Sequence, residues 1–192
     1  MFSGGQEARA AMPVRQLYLL RHALTLPAEP GQEDQKRVLA PKGLEDARAL
    51  AKAVKEKRYL PDYVLCSPAM RTRQTFAPLE DKLEMVEVSS PSVLYTGSAG
   101  DLLSAIQNTG PAYERVLLVS HNPSISQLAK ILARGGGASL LQRVHEGFKP
   151  GTFAAYSFSG DDWADLTPEG AELIDIMDPL DYNAPATPAR WT

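Results

Sequence analysis

The 192-residue sequence contains a single cysteine, Cys66, so an internal disulfide bond is excluded. One cysteine cannot build a zinc site by itself, and Cys66 lies in an apolar stretch, so we expect it to be a buried structural thiol. The sequence also lacks any block of lysines and arginines, and its formal net charge is −3 at pH 7. Charge therefore gives no sign of nucleic-acid binding or of binding to a membrane surface.

Long apolar runs are missing as well. No run approaches the roughly 20 residues that span a bilayer, and the first 16 residues lack the apolar core of a secretory signal. We therefore expect a cytoplasmic protein. The length is sufficient for one domain with a sizeable core, and the 44% hydrophobic content is ordinary for such a domain. We expect a flexible tail at residues 1–14, the domain at 15–178 and a second tail at 179–192.

Strand-like apolar runs alternate with helical patterns along this domain. The predicted strands are residues 17–20, 63–66, 85–88, 115–119 and 152–158, and residues 163–166 are expected to pair with the last of these after a turn. The predicted helices are residues 41–57, a helix that starts at Ser67-Pro68, residues 101–108, and a helix that follows Asn122-Pro123 and ends at the glycines 135–137. Such alternation predicts an α/β fold, a three-layer sandwich with a mostly parallel central sheet.

Polar side chains follow three of the predicted strands. Because the carboxyl ends of neighbouring parallel strands meet at one edge of a sheet, these side chains are expected to converge. Two helix N-termini would add backbone N–H groups at the same edge. The groups directed there are cations or hydrogen-bond donors, so the matching ligand is a compact anion, and phosphate is the obvious one. The residues are Arg21, His22, Ser67, Arg71, His121 and Asn122.

Two histidines at such a site could transfer a phosphoryl group or bind a metal ion. Imidazole can attack phosphorus or donate a proton, and its pKa lies near neutrality. Metal sites usually add carboxylates or thiolates, whereas the close companions here are Arg21 and Arg71, whose charges disfavour a divalent cation. We therefore expect neither a metal nor a cofactor.

Three motifs in this order resemble the histidine phosphatase superfamily, most closely its small bacterial branch, the SixA-type phosphohistidine phosphatases. The resemblance covers roughly residues 16–180 and includes the segment from Arg37 to Gly43 before the first helix. The three motifs are Leu-Leu-Arg21-His22-Ala23, Cys66-Ser67-Pro68-Ala-Met-Arg71-Thr-Arg-Gln74-Thr75 and Val-Ser120-His121-Asn122-Pro123.

The resemblance implies a phosphoglycerate mutase-like fold and a role for each matching residue. His22 would be the nucleophile, forming a phosphohistidine that water later hydrolyses. Arg21, Arg71 and His121 would hold the phosphoryl oxygens and stabilise the charge of the transition state. Thr25 matches a small hydroxyl position that can add a hydrogen bond to the substrate.

Two residues of these motifs have a simpler structural interpretation. Asn122 is a candidate for substrate binding, but Asn122 and Ser67 both precede predicted helices and can be explained as helix caps.

The sequence departs from many members of the superfamily because no motif places a general acid. Glu80, Asp81, Glu84 and Asp101 are candidates only by region. An alcohol leaving group needs protonation, whereas the imidazole of a phosphohistidine leaves easily. Little sequence is available for a lid between the third strand and the motif of His121, so the pocket is expected to be shallow and open.

These features lead to one hypothesis and two alternatives. The leading hypothesis is a metal-independent phosphatase that dephosphorylates phosphohistidine on a protein, a phosphorelay or phosphotransfer component. The first alternative is a phosphomonoesterase that acts on a small phosphorylated metabolite. The second is a non-catalytic phosphoprotein-binding module.

Overall fold

The computed structural model describes residues 13–183, in which one seven-stranded sheet is flanked by helices. The strands are β1 (Val14–Arg21), β2 (Tyr63–Cys66), β3 (Glu87–Ser89), β4 (Arg115–Ser120), β5 (Ala133–Gly135), β6 (Phe153–Ser159) and β7 (Ala171–Met177). The helices are α1 (Pro41–Glu56), α2 (Met70–Glu80), α3 (Val93–Thr96), α4 (Ala99–Gln107), α5 (Ser124–Leu132), α6 (Ala138–Glu146) and α7 (Pro179–Tyr182). Two short 3-10 helices cover Asp34–Lys36 and Trp163–Asp165.

The strand order in the sheet is β3-β2-β4-β1-β6-β7-β5. Strands β3, β2, β4 and β1 run parallel to one another. Strand β6 runs antiparallel to both β1 and β7, and β5 is parallel to β7. The predicted α/β sandwich with a mostly parallel sheet is therefore confirmed. The three strands that precede the sequence motifs, β2, β4 and β1, are direct neighbours at the centre of the sheet.

Strand β1 shows how the sequence divides the core into two layers. Side chains alternate between the faces of a strand, and β1 places Leu17 and Leu19 on one face and Tyr18 and Leu20 on the other, all fully buried. The face of Leu17 packs against α3, α4, α5 and α6, whereas the face of Tyr18 packs against α1 and α2. Because both faces of the sheet are covered by helices, residues 17–20 of β1 form a continuous apolar run.

Helix α1 begins where the sequence predicts and packs closely against the loop that follows β1. Pro41 occupies the first turn and Ala40 provides no side-chain cap, as expected. A Cβ atom on Gly43 would lie 2.1 Å from the backbone oxygen of Leu24, so this close approach requires glycine.

The prediction that residues 163–166 form a strand is wrong. They form the turn of 3-10 helix at Trp163–Asp165, which the carboxylate of Asp162 caps by accepting from the N–H of Ala164 at 3.0 Å. Trp163 is fully buried and donates from Nε1 to the carbonyl of Tyr113 at 2.8 Å, which anchors this segment below the sheet. The strand that pairs with β6 is instead β7.

Several boundaries differ from the predictions. Strand β3 begins two residues later and ends one residue later than predicted, and α4 begins two residues earlier because Ser98 and Asp101 form a capping box. Helix α2 begins at Met70 rather than at Ser67-Pro68, since the N–H of Ser67 still donates to Val119 at 2.9 Å, which continues the extended conformation of β2. Helix α5 ends at Leu132, before the predicted glycines, and α3, β5 and α6 were not predicted.

The ends of the chain fall largely outside the described residues. This applies to residues 1–12 and 184–192, and so to most of both predicted tails. Residues 179–183, which the sequence places in the second tail, pack on the domain, and the first four of them form α7. The hydroxyl of Tyr182 donates to the Gly151 carbonyl at 3.0 Å, and Asn183 donates to Asp46 at 2.7 Å. Within the part of the chain that the structure describes, no helix has the length and apolarity needed to cross a membrane.

Candidate active site

The carboxyl ends of β1, β4 and β2 bring the predicted site residues together. Arg21 is the last residue of β1, His121 directly follows β4, and Arg71 is the second residue of α2. The N–H of His22 donates to the carbonyl of Ser120 at 3.2 Å, which ties the two histidine motifs to adjacent strands. The ring centroids of His22 and His121 are 5.2 Å apart.

His22 is held as a neutral imidazole with one free nitrogen. Its Nδ1 lies 2.8 Å from the carbonyl oxygen of Ala23. A carbonyl can only accept, so Nδ1 carries the proton and Nε2 keeps its lone pair. Burial lowers the pKa of His22 to about 4, with the charges of Arg71 and Arg21 acting in the same direction, so the ring is neutral at pH 7.

His121 is held in the opposite tautomer by Arg71 and Ser67. The Nε–H of Arg71 donates to Nδ1 of His121 at 3.2 Å, and a guanidinium cannot accept, so Nδ1 carries no proton. The proton therefore lies on Nε2, which donates to the hydroxyl of Ser67 at 2.7 Å. Burial, with the charge of Arg71 acting in the same direction, lowers the pKa of His121 to about 3.

Arg21 and Asn122 are anchored at the same backbone oxygen. Nη1 of Arg21 donates to the carbonyl of Phe148 at 2.6 Å, and Nδ2 of Asn122 donates to this carbonyl at 3.0 Å. The Nε–H of Arg21 is buried and has no hydrogen-bond partner among the described residues. A buried guanidinium N–H of this kind is available to an oxyanion. Neither Asn122 nor Ser67 is a helix cap, since Pro123 precedes α5 and Ala69 precedes α2.

The loop of residues 24–40 covers one side of the site through Asp34. Nη1 of Arg71 donates to the backbone oxygen of Asp34 at 2.7 Å, and Nη2 donates to Oδ2 at 2.9 Å. The hydroxyl of Tyr95 donates to the same Oδ2 at 2.7 Å, and its ring meets that of His121 edge-on with centroids 5.5 Å apart. Arg71 and His121 are consequently only 6% and 8% exposed. The expectation of an open pocket is therefore wrong on this side of the site.

Arg37 adds a third guanidinium beside the site. Its Nη1 donates to Oδ1 of Asp34 at 3.1 Å, and its Nη2 donates to the hydroxyl of Thr25 at 2.8 Å. Thr25, a predicted substrate contact, thus bonds Arg37 in this structure. The hydrogen bonds from Tyr95, Arg37 and Arg71 hold the pKa of Asp34 well below its usual range, so this carboxylate is ionised.

The four carboxylates proposed as general acids lie elsewhere. Glu80, Asp81 and Glu84 are exposed at or beyond the C-terminal end of α2, about 15 Å along the helix from Arg71. Asp101 is exposed and engaged in the cap of α4. The carboxylate that does reach the site, Asp34, was missed, because an aspartate in a Pro- and Gly-rich loop gives no signal beyond its spacing of three residues from Arg37.

The arrangement is suited to binding a tetrahedral oxyanion. Three guanidinium groups and the imidazole of His121 surround a neutral histidine that has a free lone pair. Within residues 13–183, no group of three or more His, Cys, Asp or Glu side chains is placed to hold a metal ion. Cys66 is buried and unpaired, its pKa is raised to about 12 by burial, and it contributes packing below this site.

Comparison with known proteins places this geometry in context. The family model described as histidine phosphatase superfamily (branch 1) matches residues 17–93. An uncharacterized protein of Mycobacterium tuberculosis is 31% identical over 161 residues, which cover 81% of this chain and 96% of the relative.

Two solved structures are similar to this chain in both fold and sequence. A protein of Nakamurella multipartitia assigned as the phosphohistidine phosphatase SixA is 33% identical, with a TM-score of 0.75, over 88% of this chain and 99% of that one. A protein of Agrobacterium tumefaciens with the same assignment is 28% identical, with a TM-score of 0.72, over 86% of this chain and 98% of that one.

Proposed function

The chain belongs to the histidine phosphatase superfamily, and we propose that it is a metal-independent phosphatase that removes the phosphoryl group from phosphohistidine on a protein. The observation that carries this proposal is the state of His22. Its Nδ1–H is engaged by the Ala23 carbonyl, which leaves the Nε2 lone pair free among Arg21, Arg71 and His121. A neutral, oriented imidazole surrounded by cations is a nucleophile for phosphorus.

The reaction takes place in two displacements. Nε2 of His22 attacks phosphorus while the bond from phosphorus to the substrate nitrogen breaks, and the departing imidazole takes a proton from water. Water then attacks the phosphorus of phosphorylated His22 and gives a proton to the hydroxide left by the first step. The bond to Nε2 breaks, inorganic phosphate is released, and the free imidazole of His22 is restored. Arg21 and Arg71 stabilise the charge on the phosphoryl oxygens in both steps.

His121 changes its protonation when the phosphoryl group is bound. In the empty site burial and the neighbouring guanidinium groups favour its neutral form. A phosphoryl group beside the ring favours the imidazolium, because an opposite charge stabilises the charged form. The added proton goes to Nδ1, which then releases the Nε–H of Arg71 and donates to a phosphoryl oxygen. His121 thereby supplies a cation to the transition state.

The carboxylate at the site favours a nitrogen leaving group. Asp34 accepts hydrogen bonds from Tyr95, Arg37 and Arg71 and is ionised, so it cannot protonate an alkoxide. An imidazole leaves without a strong acid, whereas an ester oxygen does not. Two relatives of 33% and 28% identity that are assigned as phosphohistidine phosphatases support the same substrate class.

The test compares two substrates in the presence of EDTA. We expect the protein to release phosphate rapidly from a phosphohistidine-bearing carrier protein and slowly from glycerol 3-phosphate, an alkyl ester whose alkoxide needs a proton to leave. His22→Ala should release none from either substrate. His145→Ala is the matched control and should be fully active, because His145 is exposed in the last turn of α6.

Other outcomes identify the alternatives. Rapid hydrolysis of the ester and slow hydrolysis of the carrier would contradict the proposal and indicate a phosphomonoesterase for small metabolites. Binding of phosphate without turnover of either substrate would indicate a phosphoprotein-binding module. The cytoplasmic location expected from the sequence stays a prediction, which fractionation of the producing cells would check.

A further inference from the structure

Asp34 lies between the site and the solvent. Its side chain is 50% exposed, whereas that of Arg71, to which it bonds at 2.9 Å, is 7% exposed. The rest of a substrate must leave the site toward solvent, since the strands of the sheet close it from below. Asp34 is therefore positioned beside the path taken by the part of a substrate that carries the phosphoryl group.

The charges at the site can be counted from the described residues. Arg21, Arg37 and Arg71 contribute three positive charges, and ionised Asp34 contributes one negative charge. His22 adds no charge at pH 7 because burial keeps its ring neutral, and the same is true of the second histidine. The resulting charge of the empty site is +2, and it becomes +3 when His121 takes up a proton beside a bound phosphoryl group.

A second anionic group on a substrate would meet Arg37 and Arg71 where both are already hydrogen-bonded to the carboxylate of Asp34. That group would also lie near the carboxylate of Asp34. Asp34 is half exposed, so water screens it, and two like charges about 4 Å apart in water repel each other by about 1 kcal/mol, which changes an affinity by about fivefold or somewhat more. The carboxylate of Asp34 should thus disfavour substrates that carry a negative charge in addition to the phosphoryl group.

We propose that Asp34 is a specificity-determining residue that selects substrates whose phosphoryl group is their single anion. The inference rests on the proposed phosphoryl site and defines its substrate class more closely. Phosphohistidine meets the requirement, since the imidazole that carries the phosphoryl group has no negative charge of its own. A metabolite with a carboxylate next to its phosphate does not meet it.

The experiment uses two ligands that differ by one anionic group. Glycerol 3-phosphate and 3-phosphoglycerate have the same three-carbon skeleton, and the second has a carboxylate in place of a hydroxymethyl group. Their dissociation constants are measured by calorimetry at low ionic strength, where screening is weak. The readout is the ratio of the two constants, because a general loss of order at Arg71 would weaken both ligands equally and cancel.

Wild-type protein is expected to bind glycerol 3-phosphate more tightly than 3-phosphoglycerate, by about fivefold or somewhat more. Asp34→Asn should bring this ratio close to one. Glu33→Gln is the matched control and should keep the wild-type ratio, because Glu33 pairs with Lys36 at 3.2 Å in an ion pair whose side chains are 70% and 68% exposed.

Two results would overturn the inference. One is an unchanged ratio in Asp34→Asn, and the other is the absence of binding of both ligands to the wild-type protein. The phosphohistidine assay is independent of this result. If the ratio changes in Asp34→Asn but the wild-type protein does not turn over the carrier protein, only the proposed activity is contradicted. If the carrier protein is turned over but the ratio is unchanged in Asp34→Asn, only the role of Asp34 is contradicted.

Discussion

Ser67 is the residue whose removal tests the geometry of the site most directly. Its hydroxyl is fully buried and accepts the Nε2–H of His121 at 2.7 Å. Ser67→Ala deletes this acceptor and leaves the imidazole free to rotate about its remaining bond with Arg71. The change removes one oxygen atom and no charge, so the effect on activity reports the orientation of His121.

The magnitude follows from the burial of the hydrogen bond. A buried donor left without a partner costs about 1–3 kcal/mol. If this cost falls on the transition state, where His121 must face the phosphoryl oxygens, kcat/KM decreases by about 5- to 160-fold, at 1.36 kcal/mol for each factor of ten. Most of the decrease should be in kcat, because Arg21 and Arg71 still bind the ground-state phosphoryl group.

The matched control is Ser120→Ala. Ser120 is a buried serine at the same edge of the sheet, but its hydroxyl donates to the carbonyl of Leu94 at 2.8 Å and contacts neither histidine. Both variants should lose a similar free energy of unfolding in urea, whereas kcat/KM should decrease only in Ser67→Ala. Equal activities of the two variants would refute the role assigned to Ser67.

Three further predictions concern pH, the guanidinium fork and the loop after β1. Burial lowers the pKa of His22 to about 4 from its ordinary value of 6.5, so the unfolded chain binds the proton first. As the pH falls from about 6.5 to 4, this ring lowers the free energy of unfolding by up to about 3 kcal/mol, and His121, whose pKa burial lowers to about 3, adds to the decrease. Urea titrations across this range measure the change, and a flat profile would contradict the burial of the two rings. Arg71→Lys removes the Nε–H and the planar fork and should lower kcat/KM by at least about 100-fold, whereas Arg73→Lys, at an exposed position of α2, should leave the steady-state kinetics unchanged. Gly43→Ala should destabilise the protein by about 2 kcal/mol or more, because the added methyl group would lie 2.1 Å from a backbone oxygen. Gly100→Ala is the control and should not destabilise it, because the nearest atom to its methyl group would be 3.6 Å away. Thermal unfolding of both variants measures the difference.

The central part of the fold was predictable because its signals are local. Strands β1, β2 and β4 are apolar runs that end at polar residues, and the apolar spacing of α1 follows the helical period. Local signals failed where a tertiary contact decides the conformation. Residues 163–166 have the composition of a strand, but burial of Trp163 against the carbonyl of Tyr113 holds them in a turn.

The sequence by itself determined which side chains meet at the candidate site. The order of the three motifs identified Arg21, His22, Arg71 and His121, and parallel neighbouring strands must present their carboxyl ends at one edge. The residue types and their spacing are sufficient to predict this meeting, because both can be read directly from the amino-acid sequence.

Only the tertiary structure decided how these groups are oriented and charged. Ser67 reads as a helix cap in the sequence but bonds His121, and Asp34 reads as a loop residue but bonds Arg71. Tautomers, pKa values and the charge of the site depend on burial and on partners that lie 37 and 54 positions apart in the chain. Such pairings arise when the chain packs, since no local pattern specifies which distant side chain fills a given hydrogen-bond position.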